Sequence, residues 1–279
     1  MKTLLRFAAI FLALICLFFL APFSLQAQWE QVGKPNRYIG VPFKAGGKIF
    51  VTANGSLFRS DDNGLSWVRV ISTQLPQTAL ITECYGNGNS LYCIFRSNSD
   101  KNLLIYRSLN LGQSWQAVQV NYSQAAKAIA AYPGGLIIAR EYQTQRLRDS
   151  EQVATLVSIS PCCNPVLVVA GDTIWMGSTK GLRRTTNEGI SWDTMYTNVS
   201  VTDLAASGKY VLMGASSKLY RSEDAGKTWT IIDQNWLYKN ILNSGSLFFQ
   251  IINQTGKVII SEDALLTSST FFDTTYTTV

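Results

Sequence analysis

Chemistry near neutral pH runs most easily through histidine, and none of the 279 residues is one. Ser/His/Asp and Cys/His nucleophile systems are therefore excluded, as are imidazole sites for zinc or iron. The soft ligands that remain are five cysteines. Cys16 lies in an apolar leader, which leaves Cys84, Cys93, Cys162 and Cys163. These lack a paired Cys-x-x-Cys spacing, so no metal site is expected. Disulfide formation is the chemistry they can do. Cys84 and Cys93 bracket Gly86-Asn87-Gly88-Asn89-Ser90, a hairpin turn by composition. With Asn87 to Ser90 as the loop, Cys84 falls opposite Cys93, close enough to bridge. Cys162 and Cys163 sit in Pro161-Cys162-Cys163-Asn164-Pro165. A vicinal disulfide making a flat apolar plate and two partly buried thiols fit that loop equally.

The leader sets the compartment. Lys2 and Arg6 precede an apolar run from Phe7 to Leu20, and Ser24-Leu25-Gln26-Ala27 ends on a small residue. This is the order of a secretory signal peptide over residues 1–27. Fourteen residues at ~1.5 Å rise reach about 21 Å, short of a ~30 Å hydrocarbon core. The expected mature domain is 28–279, with 22 basic against 18 acidic residues. No clustered basic stripe marks a nucleic-acid partner, and no further run is long enough to span a membrane. A secreted or periplasmic, cell-envelope location follows, where disulfides persist.

What must position any site is a repeat. Four segments align without gaps: Arg59 to Trp67, Arg107 to Trp115, Arg184 to Trp192 and Arg221 to Trp229. They share Arg-Ser/Thr-x-Asp/Asn-x-Gly-x-Ser/Thr-Trp. The defining positions are Ser60, Asp62, Gly64 and Trp67, then Ser108, Asn110, Gly112 and Trp115. The later copies carry Thr185, Asn187, Gly189 and Trp192, then Ser222, Asp224, Gly226 and Trp229. A short polar side chain followed by Asp or Asn can accept backbone N–H groups of a tight turn. Glycine takes the positive φ, and the indole covers the hairpin end. The motif is thus a self-satisfied turn between antiparallel strands.

The tryptophans are 48, 77 and 37 residues apart, so a degenerate copy should lie in the middle gap. Periods near ~40 with strand-like composition indicate propeller blades. The layout traces six times, with third strands ending near Ser60, Ser108, Arg148, Thr185, Ser222 and Ser261. The third unit has lost its motif around Arg146-Leu147-Arg148-Asp149, and the sixth keeps Ser261-Glu262-Asp263 without the Gly and Trp. The expected fold is all-β: a single propeller of six four-stranded blades, with seven as the alternative. Trp29-Glu30-Gln31-Val32 resembles the strands after the motifs and is expected to supply the outer strand of the last blade. Thr270-Phe271-Phe272 is its rival.

The four segments resemble the Asp-box (BNR) repeat of sialidases, sortilin-type receptors and photosystem II assembly factors. The resemblance implies a propeller with boxes at its periphery, and it spans families of unrelated activity. Sialidase kinship would imply three arginines on a substrate carboxylate and a Tyr nucleophile helped by Glu. Arg59, Arg107, Arg184 and Arg221 recur as repeat residues rather than as a triad. Glu141-Tyr142 is the one suggestive couple, and adjacent strand residues point to opposite faces. No catalytic residue and no cofactor is assigned. The resemblance to the assembly factors implies a binding platform for a protein or glycan on a propeller face, with sialidase-type hydrolysis as the alternative. Trp175, Trp236, Tyr132, Tyr142 and Tyr238 are aromatics that could anchor such a ligand.

Overall fold

The computed structural model describes residues 40–272 apart from 77–79, 97–102, 121–125, 160–162, 237–238, 245–246, 253–256, 262–263 and 266–268. The described residues form six four-stranded antiparallel sheets and no helix. Blade one is β1 (Phe43–Ala45), β2 (Lys48–Ala53), β3 (Ser56–Ser60) and β4 (Val68–Arg69). Blade two is β5 (Ile81–Asn87), β6 (Ser90–Arg96), β7 (Leu103–Ser108) and β8 (Gln116–Val118). Blade three holds β9 (Ala128–Tyr132), β10 (Gly135–Ala139), β11 (Gln143–Arg148) and β12 (Thr155–Ile159). Blade four holds β13 (Val166–Ala170), β14 (Thr173–Ser178), β15 (Gly181–Thr185) and β16 (Asp193–Thr197). Blade five is β17 (Val201–Ser207), β18 (Tyr210–Ala215), β19 (Lys218–Ser222) and β20 (Thr230–Asp233). Blade six is β21 (Lys239–Ser244), β22 (Leu247–Ile252), β23 (Lys257–Ser261) and β24 (Ser269–Phe272). The third strands end at the six residues that the repeat marks.

Each sheet is a meander in chain order, so every strand pairs with its sequence neighbour across a short turn. The second strands carry the densest apolar runs because a central strand is covered on both faces. Leu136, Ile137, Ile138 and Ala139 of β10 are fully buried, as are Val211, Leu212, Met213 and Ala215 of β18. The apolar clusters lie between successive sheets. Phe50 and Leu57 meet Leu91 and Phe95 between blades one and two, and Trp175 and Leu182 meet Leu204 and Met213 between blades four and five. First strands of successive blades touch from β1 through β21, which puts them on the inner side of the stack.

One expectation is corrected. The outer strand of the last blade is β24, which pairs with β23 through Val258↔Phe272 and Ile260↔Ser269. A segment following its own third strand closes a shorter loop than one arriving from the other end of the chain. The Trp29 segment lies outside the described residues.

Cys84 and Cys93 form a disulfide at the register the hairpin sets, with Asn87↔Ser90 closing the turn and a Cα–Cα distance of 4.4 Å. Replacing both with alanine is expected to cost about 2–3 kcal/mol, the loop-closure entropy for so short a span. Urea unfolding of the oxidised protein and the variant measures it. Cys163 is a free, half-buried thiol, so the vicinal bridge is not made, and Cys162 lies outside the described residues.

Candidate functional site

The four motif turns share one hydrogen-bond pattern. The Ser or Thr hydroxyl accepts the glycine N–H: Gly64 to Ser60 at 2.7 Å, Gly112 to Ser108 at 2.8 Å, Gly189 to Thr185 at 3.1 Å and Gly226 to Ser222 at 2.8 Å. The same hydroxyl donates to the acid or amide two residues on, as Ser222 does to Asp224 at 2.9 Å. That group accepts the N–H of the next Ser or Thr, Ser66 on Asp62 and Thr228 on Asp224, each at 2.8 Å. Trp115, Trp192 and Trp229 donate their indole N–H to the glycine carbonyl at 3.0–3.1 Å. Each turn closes on itself.

Asp and Asn do the same work. The Ser66 hydroxyl donates to Asp62 at 2.5 Å, while Asn110 donates its amide to the Ser114 hydroxyl at 2.8 Å. Asn187 repeats the second arrangement with Ser191 at 2.8 Å. The hydroxyl simply turns round, and no charge is needed. Hydrogen bonds from Ser66 hold Asp62 at a pKa of about 2, and those from Thr228 do the same for Asp224. Both therefore contribute stability present above their ordinary carboxylate range and lost as pH falls towards 2.

The residue before each motif glycine is also left-handed: Asn63, Leu111, Glu188 and Ala225 have φ between 56° and 60°. The sixth turn keeps the pattern without glycine, as Leu265 takes φ 67° and its N–H reaches the Ser261 hydroxyl at 2.8 Å. Gly226 is also needed for space, because a Cβ there would sit 2.8 Å from the Trp175 ring of the preceding blade.

The motif arginines do not converge. Each lies opposite the third residue of its second strand: Phe50↔Arg59, Tyr92↔Arg107, Trp175↔Arg184 and Leu212↔Arg221. The buried Arg107 donates to the carbonyls of Arg148 at 2.9 Å and Glu151 at 2.5 Å, in the turn of blade three. Arg184 donates to the Ala225 carbonyl in the turn of blade five at 2.8 Å and lies over the Trp175 ring. Arg59 pairs with Asp61 at 2.9 Å and Arg221 with Glu223 at 3.0 Å. Arg107 and Arg184 tie one blade to the turn of the next.

Blade three holds a fifth arginine of this kind, which the motif missed. Ile137↔Arg146 fills the same slot, and the buried Leu147 stands where the motif has Ser. Aligning on the start of the second strand, rather than on the lost Gly and Trp, is the signal that would have found it. Arg146 reaches Glu151 and Glu188 of blade four, each at 3.2 Å, and Arg148 reaches Glu188 at 2.7 Å. In the other direction Asp149 accepts the Tyr92 hydroxyl and, at 2.6 Å, that of Ser90. Burial, with Asp149 beside it, pushes the Tyr92 phenol far above its ordinary range. Tyr92 is a hydrogen-bond donor, not a nucleophile. The degenerate turn has become a clamp on both neighbours.

The opposite face is built from the linkers into the first strands and from the turns between second and third strands. A cavity of ≈ 290 Å³ opens there across blades three to five, lined by Lys127, Asn164, Pro165, Thr179, Ser200 and Thr202, with Val166 and Val201. We call it the mouth, since it sits at the starts of β9, β13 and β17. Its rim is fixed by backbone bonds: Lys127 N–H to Ala139 carbonyl 2.9 Å, Thr179 N–H to Cys163 carbonyl 3.2 Å, and Ser216 N–H to Ser200 carbonyl 3.1 Å. A second depression of ≈ 300 Å³, on the turn side, is lined by Gln74, Arg107, Leu109, Ser114, Trp115 and Gln116. Arg107 and Trp115 are already committed there by the bonds above.

Of the aromatics, Trp175, Trp236 and Tyr132 are buried, Tyr142 is exposed, and Tyr238 lies outside the described residues. Glu141 and Tyr142 fall in a turn rather than a strand, so face alternation does not separate them, and the phenol lies 3.4 Å from the carboxylate. Glu141 raises the Tyr142 pKa, which opposes ionisation of the phenol. Among the described residues no three His, Cys, Asp or Glu side chains gather as a metal site, and no helix is long and apolar enough to cross a membrane.

Beside the mouth, the Asp203 carboxylate accepts the N–H groups of Ile241 at 2.6 Å and Leu204 at 3.0 Å, joining blades five and six. Burial outweighs those bonds and lifts its pKa to about 6. Between about pH 4 and 6 the folded chain then keeps a proton that the unfolded chain releases. Stability is expected to fall by roughly 3 kcal/mol as pH rises through that window. Urea unfolding at pH 4.5 and 7.5 should show the slope, and Asp203→Asn should flatten it. An unchanged slope in the variant would remove Asp203 as the cause.

No family model matches the chain, and no curated protein does. Solved structures do. YCF48 from Cyanidioschyzon merolae is 16% identical with a TM-score of 0.56 over 84% of this chain and 82% of that one. The structure described as YCF48 bound to D1 peptide matches at 16% identity and TM-score 0.56, over 80% and 77%. Prp20p from Saccharomyces cerevisiae reaches TM-score 0.59 at 8% identity, over 80% and 70%. The fold is a β-propeller. At such identities the likeness carries the propeller architecture alone, and the site must speak from its own chemistry.

Proposed function

We propose that the chain is an exported, non-catalytic propeller of the Asp-box type that binds a polypeptide ligand on the face opposite its boxes. The observation that carries this reading is the interchange of Asp62 and Asp224 with Asn110 and Asn187 in identical turns. A carboxylate that an amide replaces at two of four equivalent positions is scaffolding. The repeated arginines support it too, since their guanidinium groups are spent on turn carbonyls and turn acids. A related architecture has been seen with a D1 peptide bound to it. Export is supported by the leader pattern and by the Cys84–Cys93 bridge, which suits an oxidising compartment.

The test is selection from a random-peptide display library against the purified domain, beside a glycan array that includes sialosides. Peptides that bind saturably and map to the mouth are expected. Binding confined to glycans would replace polypeptide with carbohydrate. Hydrolysis of a fluorogenic sialoside, abolished by one carboxylate substitution, would overturn the non-catalytic reading.

A further inference from the structure

The ion pairs among the described residues gather at one face and leave cations without carboxylate partners at the other. In a four-stranded meander the first and third turns lie at one end of the sheet, and the second turn lies at the other with the interblade linkers. The carboxylates Asp61, Asp62, Asp149, Glu151, Glu188, Glu223 and Asp224 all fall in third turns, and Asp172 in a first turn. Several are held there by their own turns or by arginines of that face. Among the described residues most carboxylates thus lie on the box face, where Lys48, Arg59, Arg146, Arg148 and Arg221 pair with them.

The mouth face carries the unpaired cations. Lys127 lines the cavity from the linker before β9. Lys180 follows Thr179 in the second turn of blade four, and Lys218 follows the second turn of blade five, Ser216-Ser217. Ser216 is hydrogen-bonded to Ser200 of the cavity wall, which fixes that turn against the rim. Among the described residues none of these three ammonium groups has a carboxylate partner. The nearby acids are otherwise engaged: Asp203 by Leu204 and Ile241, Asp233 by the Asn235 N–H at 2.8 Å, and Glu141 by Tyr142. Between the cations the lining is Asn164, Thr179, Ser200 and Thr202, donors that suit carboxylate oxygens.

We propose that the mouth across blades three to five binds a carboxylate-rich polypeptide segment, with Lys127, Lys180 and Lys218 as its cations and the hydroxyl lining as its donors. This rests on the polypeptide-binding reading above and adds the chemistry of the ligand.

The experiment is fluorescence anisotropy with three labelled probes: a glutamate octapeptide, a glutamine octapeptide and an eight-nucleotide oligothymidylate. The proteins are the parent, K127E/K180E/K218E, the gentler K127A/K180A/K218A, and R69E/K209E/K227E as a charge-matched control away from the mouth. Thermal midpoints confirm that each is folded. The glutamate peptide should bind saturably and weaken with salt, the glutamine peptide at least tenfold less well. Charge reversal at the mouth should cost at least tenfold, the alanine triple several-fold, and the control less than twofold. Equal losses in mouth and control variants, or no saturable binding of the glutamate peptide, would overturn the proposal. So would oligothymidylate binding as tightly through the same lysines. If display-selected peptides bind the mouth without acidic residues, the acidic segment is wrong and the polypeptide reading stands. If no peptide binds at all, both fall.

Discussion

Arg107→Ala is expected to lower the unfolding free energy by about 3–5 kcal/mol, among the largest effects of any single side-chain truncation in this chain. The guanidinium is almost fully buried between blades two and three and donates to two carbonyls of the neighbouring turn. Removing it leaves the Glu151 carbonyl without that donor and the Arg148 carbonyl with the Glu151 N–H alone, beside the space the side chain filled. Arg107→Lys should recover only part of the loss, since an ammonium cannot serve two carbonyls in the fixed geometry of the guanidinium fork. Urea denaturation with an unchanged m-value is the measurement. A cost near that of an exposed arginine would mean the interblade tie contributes little.

Gly181→Ala should be comparably severe, at about 3–4 kcal/mol. Gly181 opens β15 at φ 126°, where L-residues are strained, and a Cβ would lie 2.0 Å from the Tyr196 carbonyl oxygen. That atom belongs to the paired strand β16, so relief would require opening the ladder. Gly171→Ala is the matched control: φ is 59° and nothing lies within 4 Å of the added carbon. It should cost about 1 kcal/mol, the left-handed penalty alone. Thermal unfolding of the two variants separates clash from conformation.

The parts of this fold that the sequence exposes are those made within one hairpin. Third-strand ends, the Trp-capped turns and the Cys84↔Cys93 register all follow from turn chemistry and a two-residue period. The interblade ties are different. Arg146 meets Glu188 across 42 residues and Tyr92 meets Asp149 across 57, with no local pattern to announce either. Leu147 in place of Ser made blade three look merely decayed, whereas its turn has exchanged self-closure for contacts with both neighbours. The last outer strand differs from expectation because Trp29 carries the repeat's strongest residue and Phe272 does not. The mouth gave no signal either: Thr179, Ser200 and Thr202 are ordinary loop residues until three linkers bring them together.

One comparison tests most directly whether the recurring turns are framework and binding resides elsewhere. The thermal midpoint of D62A/D224A and its affinity for a display-selected peptide should be measured side by side. Removing both carboxylates strips the acceptors from Ser66 and Thr228. The midpoint should therefore fall while the affinity of the folded protein stays within twofold of the parent. A folded variant that has lost the peptide would place the ligand on the boxes and contradict the account.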